Sequence, residues 1–291
     1  VILGSATPSF ETYSHVKDHS YDLAKVPSSN VRCQIPDVSI IDMRNEFLDK
    51  NYSSFSYRLK NEIESVLNDK SKKVILFAAR RGNQSFYFCA DCKHIEKCPR
   101  CDTHLVYHAL GKNILLCHHC GYRKEPSLLC SKCKSHNIKT FGAGTQKIAE
   151  EIKNIFNITA LAIDSDIAPT FQARQKIINK FIAGESPILI GTATLLNEPN
   201  MPKSDLLGII SLDNLLYIPD YKISEQIFKT VYALASYAAP GAPLLWQTYT
   251  QDNETIQKIA LLDYDKFYES EITERENLRY PRFSRIIKIA V

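Results

Sequence analysis

The sequence predicts an α/β fold in which a parallel sheet, covered by helices on both faces, carries an inserted module that binds two zinc ions. Two observations predict this fold. Apolar runs typical of buried strands alternate with amphipathic helical segments along most of the 291 residues. Eight of the nine cysteines form four Cys-x-x-Cys pairs between Cys89 and Cys133. A chain of this length has room for two domains.

The predicted helices and strands follow one another in a regular order. The first helical segment, from about 57 to 68, places Leu59 and Ile63 on one face. A second follows Thr145, a predicted N-cap, and places Ile148 and Ile152 on one face. We expect further helices at 171–183 and 224–238, and strands at 73–79, 160–163, 188–190, 207–212 and 244–249. This alternation is typical of a RecA-like or Rossmann-like lobe.

The cysteine-rich insert interrupts the lobe between its first predicted strand and the helix that follows. That position is the edge at which open parallel sheets bind ligands. Val1 at the first position and the strand-like residues 286–291 indicate an excerpt from a longer protein. The predicted divisions are 1–55 as the end of a preceding lobe and a linker, 56–88 and 136–252 as the sheet-containing lobe, 89–135 as the zinc insert, and 253–291 as the start of a C-terminal domain.

The spacing of the four cysteine pairs predicts two nested zinc sites. Each Cys-x-x-Cys turn, or knuckle, presents two sulfurs to one ion, so a tetrahedral site needs two knuckles. Five residues separate the first two knuckles, whereas 15 separate the second from the third, as in a zinc ribbon. We therefore assign the ligands to an inner site and an outer site: Cys98, Cys101, Cys117 and Cys120 to the inner, and Cys89, Cys92, Cys130 and Cys133 to the outer.

Other assignments for these cysteines are less favoured. A disulfide framework conflicts with the absence of a secretory signal, since cytosolic thiols stay reduced. Iron–sulfur ligation is a further alternative. Eight cysteines satisfy two ions, so we interpret the histidines of the insert as surface or supporting groups: His104, His108, His118, His119 and His136. Cys33 lies alone in a polar stretch and is interpreted as an ordinary thiol.

Net charge gives little support to nucleic-acid binding once the metal sites are included. The formal charge is +4, but eight thiolates contribute −8 and two Zn²⁺ contribute +4, which leaves zero. Between Cys89 and Lys139 a surplus of five cationic residues falls to about one for the same reason. No apolar stretch is long enough to cross a membrane, so we expect a soluble, cytoplasmic protein.

Short motifs outside the insert follow a recognisable order. They are Ser5-Ala6-Thr7, residues 77–82 and 142–145, Ile163-Asp164, Ile190-Gly191-Thr192, Pro219-Asp220-Tyr221 with Glu225, residues 263–268 with Glu271, and Tyr280-Pro281. Together with the four knuckles they resemble the primosomal protein N′ (PriA) family of superfamily 2 DNA helicases. The resemblance covers essentially the whole chain, and Ser5-Ala6-Thr7 matches helicase motif III.

The resemblance implies an ATP-dependent 3′–5′ DNA helicase of replication restart, with the second RecA-like helicase lobe carrying the zinc insert. It implies ATP and Mg²⁺ as cofactors beside two Zn²⁺. The implied partners are forked or single-stranded DNA and primosome or single-strand-binding proteins. The Walker A and B motifs are expected upstream. Candidate residues for the nucleotide and DNA cleft are Thr7, Arg80, Arg81, Gly144, Thr145, Gly191, Thr192 and Asp213.

Two helicase motifs depart from the family pattern. Motif V normally continues from Gly-Thr into Lys-Gly-x-Asp-Phe-Pro, but residues 197–202 here read Asn-Glu-Pro-Asn-Met-Pro. Motif VI normally holds two arginines, and Tyr237 and Pro240 occupy those positions. Arginines that face the γ-phosphate contribute roughly 10³–10⁵ in rate. No Lys or Arg occurs between Val231 and Gln247 to replace them.

These departures separate three functional hypotheses. The preferred one is a helicase-derived DNA-binding protein of replication restart whose ATPase motor is impaired or lost. The alternative is an active ATP-dependent helicase that tolerates the substitutions. An unrelated nucleotide-binding protein with a zinc ribbon is the third.

Several residues near strand ends or in apolar segments allow weaker predictions. Asp164 and Asp166 follow a strand, where they either face the cleft or cap the next helix. Trp246 lies in an apolar strand and is predicted to be core. Aromatic residues near the C-terminus are predicted to pack rather than to stack on bases: Tyr264, Phe267, Tyr268 and Tyr280.

Overall fold

The computed structural model describes residues 1–26, 35–78, 84–92, 94–101, 104–108, 113–117, 120–141, 144–216, 218 and 220–287. The helices are α1 (Phe10–Lys17), α2 (Met43–Leu48), α3 (Tyr57–Leu67), α4 (Thr145–Phe156), α5 (Phe171–Ala183), α6 (Asp213–Leu216), α7 (Ile223–Ala235), α8 (Glu254–Ala260) and α9 (Tyr264–Asn277). The strands are β1 (Val38–Asp42), β2 (Val74–Ala78), β3 (Gln84–Cys89), β4 (Val106–His108), β5 (Ile114–Leu116), β6 (Arg123–Lys124), β7 (Ile138–Phe141), β8 (Leu161–Ile163), β9 (Ile188–Gly191), β10 (Leu206–Ser211) and β11 (Leu244–Thr248). Within these residues no helix combines the length and apolar character needed to cross a membrane.

Six strands form a parallel sheet in the order β1-β11-β10-β2-β9-β8. All five residues of β2 are buried, as are all four of β9 and all five of β11. Strands this apolar on both faces must be covered on both sides. The predicted α/β fold with a parallel sheet is confirmed.

Side chains that alternate along the strands divide the core into two layers. Ile75 and Phe77 of β2 join a cluster with α1, α5, α7, α8 and α9 on one face. Val74 and Leu76 point to the other face and pack with α3 and α4. Trp246 is 1% exposed within the first layer, so its predicted core position is confirmed.

The zinc insert is a separate five-stranded antiparallel sheet in the order β6-β5-β4-β3-β7. It follows β2 and precedes α4, as the sequence predicts. Its sheet extends from Gln84 to Phe141, which is wider than the predicted 89–135, because β3 and β7 pair with each other outside the cysteines. These two strands bring the chain into the module and out of it side by side.

The two ends of the chain differ from the predicted divisions. β1, predicted to lie in a linker, pairs with β11 at the edge of the large sheet. Phe10 of α1 lies in the same core layer as Phe267 and Tyr268 of α9, with ring centroids 5.8 Å and 5.3 Å from theirs. Both terminal segments therefore pack on the lobe, and the packing role predicted for the α9 aromatics is confirmed.

The start of α4 differs from its prediction. Gly144, in an extended conformation, occupies the N-cap, and Thr145 is the first helical residue. The Thr145 hydroxyl donates to Asp164 Oδ2 at 2.6 Å instead of capping the helix. The predicted N-cap at Thr145 is wrong by one residue, because Thr145 is already helical and Gly144 carries the extended backbone of the cap.

Candidate metal centres and the carboxyl edge of the sheet

The first metal centre lies where the zinc module meets the lobe. It contains the four cysteines predicted for the outer site, whose sulfurs all lie within 4.8 Å of one another. The sulfurs of Cys89 and Cys133 are 3.5 Å apart, as are those of Cys92 and Cys130. Cys89 ends β3 and is 1% exposed, whereas Cys133 is exposed.

The second metal centre lies further along the module and contains the predicted inner set. The sulfurs of Cys98 and Cys120 are 3.5 Å apart, and those of Cys101 and Cys117 are 3.3 Å apart. All four inner sulfurs also lie within 4.8 Å of one another. The spacing of the knuckles predicts both ligand sets, and the structure brings each set together.

The donor sets fit zinc. Four thiolates at a Zn–S distance of about 2.3 Å in a tetrahedron place the sulfurs about 3.8 Å apart, close to the separations observed. With four protein ligands no coordination position stays open, so both centres have the form of structural sites. When bound, each ion would supply a cross-link between two knuckles, and no catalytic water.

Backbone geometry of the knuckles supports the ligand positions. The backbone N–H of Arg100 points to the Cys98 sulfur at 3.4 Å, and that of Cys133 points to the Cys130 sulfur at 3.5 Å. Gly121 follows Cys120 with φ of 72°, a conformation that disfavours side chains with a Cβ. Such N–H···S bonds stabilise the negative charge of a bound thiolate.

The histidines of the insert do not join the metal centres within the described residues. Both metal-binding groups consist of cysteines alone. His136 is exposed, and His94 contacts Glu96 at 3.6 Å. His118 and His119, like Cys33, lie outside the described residues.

A small apolar cluster attaches the zinc module to the lobe. We call it the docking cluster, and it contains Met43, Phe47, Phe88, Ala90 and Tyr249, all buried. Phe88 and Ala90 flank the outer ligand Cys89, while Met43 and Phe47 belong to α2 and Tyr249 directly follows β11. The outer centre is therefore next to the interface, and the inner centre packs with Tyr87, Leu105 and Leu115 inside the module.

Asp213, a predicted cleft residue, lies in the interior. It is 0% exposed and accepts hydrogen bonds from the Tyr249 backbone N–H at 3.0 Å and from the Thr250 and Ser211 hydroxyls at 2.8 Å and 2.9 Å. The Thr248 hydroxyl also donates to it. Burial, together with this carboxylate, raises the pKa of the Tyr249 phenol far above its ordinary value. The geometry gives Asp213 a structural role beneath the docking cluster.

Four other cleft candidates converge at the carboxyl ends of β8 and β9. Thr145 at the start of α4 donates to Asp164, and the Thr192 N–H donates to the Ile163 carbonyl at 3.2 Å. Gly144 is the N-cap beside them. Gly191 has no room for a side chain, because a Cβ there would lie 2.7 Å from Leu195 Cδ2.

The remaining cleft candidates, Thr7, Arg80 and Arg81, are not among the residues that the structure places at the carboxyl ends of β8 and β9. The Thr7 backbone N–H bonds to Ser5 Oγ, and the adjacent Pro8 carbonyl accepts from Tyr264 of α9 at 2.8 Å. Thr7 therefore lies in the segment that packs on α9. Arg80 and Arg81 fall outside the described residues. Asp164 accepts from the backbone N–H groups of Asp166 and Ile167 in the turn after β8, whereas the next helix, α5, is capped by Thr170.

The segments that correspond to motifs V and VI contact each other. The Tyr237 hydroxyl donates to the Leu195 carbonyl at 3.1 Å. Burial, and less strongly the charge of Glu198, raises the pKa of Tyr237 to about 12. Pro240, at the second arginine position, is exposed.

An ion pair in the same region could not be found from the sequence. Glu198, whose side chain is 1% exposed, pairs with Arg174 of α5 and accepts from Gln175 Nε2 at 2.7 Å. The two charges come from separate elements, and no local spacing relates them. The sequence signal that could have pointed to this ion pair is Glu198 itself, which stands at a motif V position that normally holds glycine.

Comparison with known proteins follows the same segments. The family model described as the PriA DNA helicase Cys-rich region domain matches residues 98–125. The whole chain is 32% identical to the replication restart protein PriA of Bacillus subtilis, of which it covers 36%. It is 34% identical to the protein of that name from Borreliella burgdorferi, with 99% of this chain and 43% of that protein covered.

Solved structures show a weaker likeness. Yeast Dbp5 bound to RNA is 12% identical with a TM-score of 0.40, over 94% of this chain and 53% of that one. This score is too low to bear on function. The chain spans roughly two fifths of the length of the PriA relatives that it matches, 36% for Bacillus subtilis and 44% for Rickettsia prowazekii. With every part of the chain aligned to such relatives, the chain belongs to the PriA family.

Proposed function

We propose that this chain is part of a replication-restart protein that binds forked or single-stranded DNA and whose ATPase motor is impaired or lost. The observation that carries the proposal is the pairing of whole-chain similarity to PriA with Tyr237 and Pro240 at the motif VI arginine positions. The relatives are named for replication restart. Their activity is transferred to this chain only as a proposal, since the chain spans 36% of the first of them.

The start of α4 is the proposed phosphate contact of the lobe. The first backbone N–H groups of a helix lack intrahelical acceptors, and together with the helix dipole they attract anions. Gly144 caps the 12-residue helix without a side chain of its own, and Thr192 directly follows the strand β9. Residues 56–88 and 136–252 would then act as the second helicase lobe.

The motif V and VI segments support the loss of the motor. A tyrosine hydroxyl bonded to the Leu195 carbonyl cannot supply the positive charge that an arginine places against a γ-phosphate. The fold brings Lys203 to the carbonyl of Ser236, beside Tyr237. An ammonium bound to a carbonyl does not reproduce the planar fork of a guanidinium. We therefore propose ATP with Mg²⁺ as a ligand of the lobe and not as a substrate that it hydrolyses efficiently.

The zinc module is proposed as a rigid platform for DNA or for a primosome or single-strand-binding protein. Both centres are closed, so they hold shape rather than catalyse. We expect the protein in the cytoplasm, where thiols stay reduced and available to zinc. Chelation of both ions should unfold the module. Fork binding that survives chelation would exclude the module as the DNA contact.

Fork binding and strand separation, measured on the same preparation, test the proposal. The zinc-loaded protein that contains this chain should bind a forked DNA and leave its strands annealed in the presence of ATP and Mg²⁺. ATP-dependent unwinding would overturn the impaired-motor proposal and support the alternative of an active 3′–5′ helicase. Failure to bind any DNA would overturn the DNA-binding function itself.

A further inference from the structure

The loop between α2 and α3 and the first residue of α3, together called the tyrosine loop, present two large aromatic side chains to solvent. Tyr52 is 55% exposed and Tyr57 is 49% exposed. Exposed tyrosines offer a large apolar ring face that gains from contact with a partner. Residues between them point inward, since Ser54, Phe55 and Ser56 are each 0% exposed. The loop therefore holds its tyrosines outside while its neighbours are packed.

Hydrogen bonds from the lobe fix this loop. Glu151 of α4 accepts from the Ser54 N–H at 2.8 Å and from the Ser53 hydroxyl at 2.9 Å. The buried Gln247 accepts from the Ser56 N–H at 2.7 Å and donates to the Ser54 carbonyl at 2.9 Å. A loop bonded in this way from both sides offers its exposed rings at little cost in conformational entropy on binding.

Asn51 continues this anchoring on the α2 side. Its side chain donates to Glu46 Oε2 at 2.6 Å and to the Phe55 carbonyl at 2.9 Å, and Glu46 also accepts from the Tyr57 N–H at 2.9 Å. The carboxylates of Glu46 and Glu151 are thus bonded to loop donors. Their negative charge partly offsets the positive charge of the nearby lysines. The feature of this loop that could attract a ligand is therefore its exposed aromatic surface and not its net charge.

Each exposed tyrosine has a lysine beside its ring. Lys139 Nζ, from β7 of the zinc module, lies 5.4 Å from the Tyr52 ring centroid. Lys60 Nζ lies 5.3 Å from the Tyr57 ring centroid and donates to Asn51 Oδ1 at 3.0 Å, next to Tyr52. In the described part of the chain Lys139 forms no ion pair. Its charge is available to a phosphate.

We infer that Tyr52, Tyr57, Lys60 and Lys139 form a stacking surface for single-stranded DNA across the junction of lobe and zinc module. Bases stack on exposed aromatic rings whatever their identity, and lysines neighbour the backbone phosphates. The loop is bonded through Glu151 to α4, whose N-terminus is the proposed phosphate contact. The inference rests on the proposed DNA-binding function and adds the residues that contact the bases.

Binding of two matched oligonucleotides to the zinc-loaded full chain tests the stacking surface. One is a short oligothymidylate, and the other is an abasic strand of equal length and charge. Tyr52→Ala should weaken oligothymidylate binding about 5- to 100-fold and leave abasic binding unchanged. Lys139→Gln should weaken both, and the salt dependence of binding should fall by about 0.7 in log–log slope.

Tyr21→Ala is the matched control, because Tyr21 is 48% exposed and lies elsewhere in the chain, after α1. It should bind both strands as the unaltered chain does, and all variants should keep their thermal midpoints. If Tyr52→Ala and Tyr57→Ala both retain the full preference for oligothymidylate, the stacking surface is wrong while the proposed function stands. If the unaltered chain binds neither strand, the DNA-binding function fails as well.

Discussion

Phe88, the residue before the outer zinc ligand Cys89, packs its ring against Tyr249 of the lobe, with the two centroids 6.0 Å apart. Phe47 of α2 completes the contact at 4.9 Å from Phe88 and 6.0 Å from Tyr249. Beneath it, Asp213 accepts the Tyr249 backbone N–H. The outer metal centre, the docking cluster and the end of β11 thus form one continuous unit.

Loss of the outer centre should release the module from the lobe, whereas loss of the inner centre should not. Cys89→Ser and Cys120→Ser each remove one thiolate ligand, so each variant should lose one zinc. Only Cys89 lies between the docking residues Phe88 and Ala90. Hydrogen exchange in α2 should therefore accelerate in Cys89→Ser alone. Equal exchange in both variants would contradict this division between the centres.

Asp213→Ala should destabilise the lobe by about 3 kcal/mol or more, because several buried donors would lose a charged acceptor. The free energy of unfolding in urea measures this change. Asp252→Ala is the matched control, since the Asp252 side chain is 82% exposed and pairs with Arg44 at the surface. Its loss should cost at most about 1 kcal/mol. Equal effects of the two substitutions would refute the buried role of Asp213.

Gly191→Ala should destabilise the lobe by about 1–3 kcal/mol through overpacking. The added Cβ would meet Leu195 Cδ2 at 2.7 Å and Leu195 Cβ at 2.8 Å. Gly4→Ala is the control, because nothing lies within 4 Å of a Cβ at that position. Thermal unfolding distinguishes the two variants. A Gly191→Ala protein with an unchanged midpoint would show that the turn after β9 has more room than the structure gives it.

Arg174→Met should cost about 3–5 kcal/mol, since it leaves the buried Glu198 carboxylate without its cation. Adding Glu198→Gln should recover much of that loss, because a neutral amide needs no counter-charge. A double-mutant cycle on urea unfolding gives the coupling energy. Independent, additive effects would mean that the pair does not hold the motif V segment to α5.

Features specified by local sequence were predictable. The two zinc sets follow from Cys-x-x-Cys turns whose members are close in the chain, and β2 follows from an unbroken apolar run. The register of strand pairing, and the choice of partner between segments distant in the chain, were not predictable. β1 was missed because its five residues are only half-buried at a sheet edge and follow polar sequence.

The candidate site was predictable to a smaller extent. Thr145 and Thr192 meet at one edge of the parallel sheet. Thr192 follows strand β9, and Thr145 begins the helix α4 beside it. Asp213 has the same sequence context but turns inward, toward hydroxyls of the next strand that no local pattern reveals. The side-chain network after a strand end decides whether a polar residue faces the cleft or the core.

ATP turnover with and without forked DNA distinguishes a lost ATPase motor from a working one. The measurement uses the zinc-loaded protein that contains this chain, at DNA concentrations that saturate fork binding. We expect saturable binding of the fork with turnover that DNA does not raise above background, because Tyr237 and Pro240 replace the motif VI arginines. Robust turnover that rises with fork occupancy would contradict it.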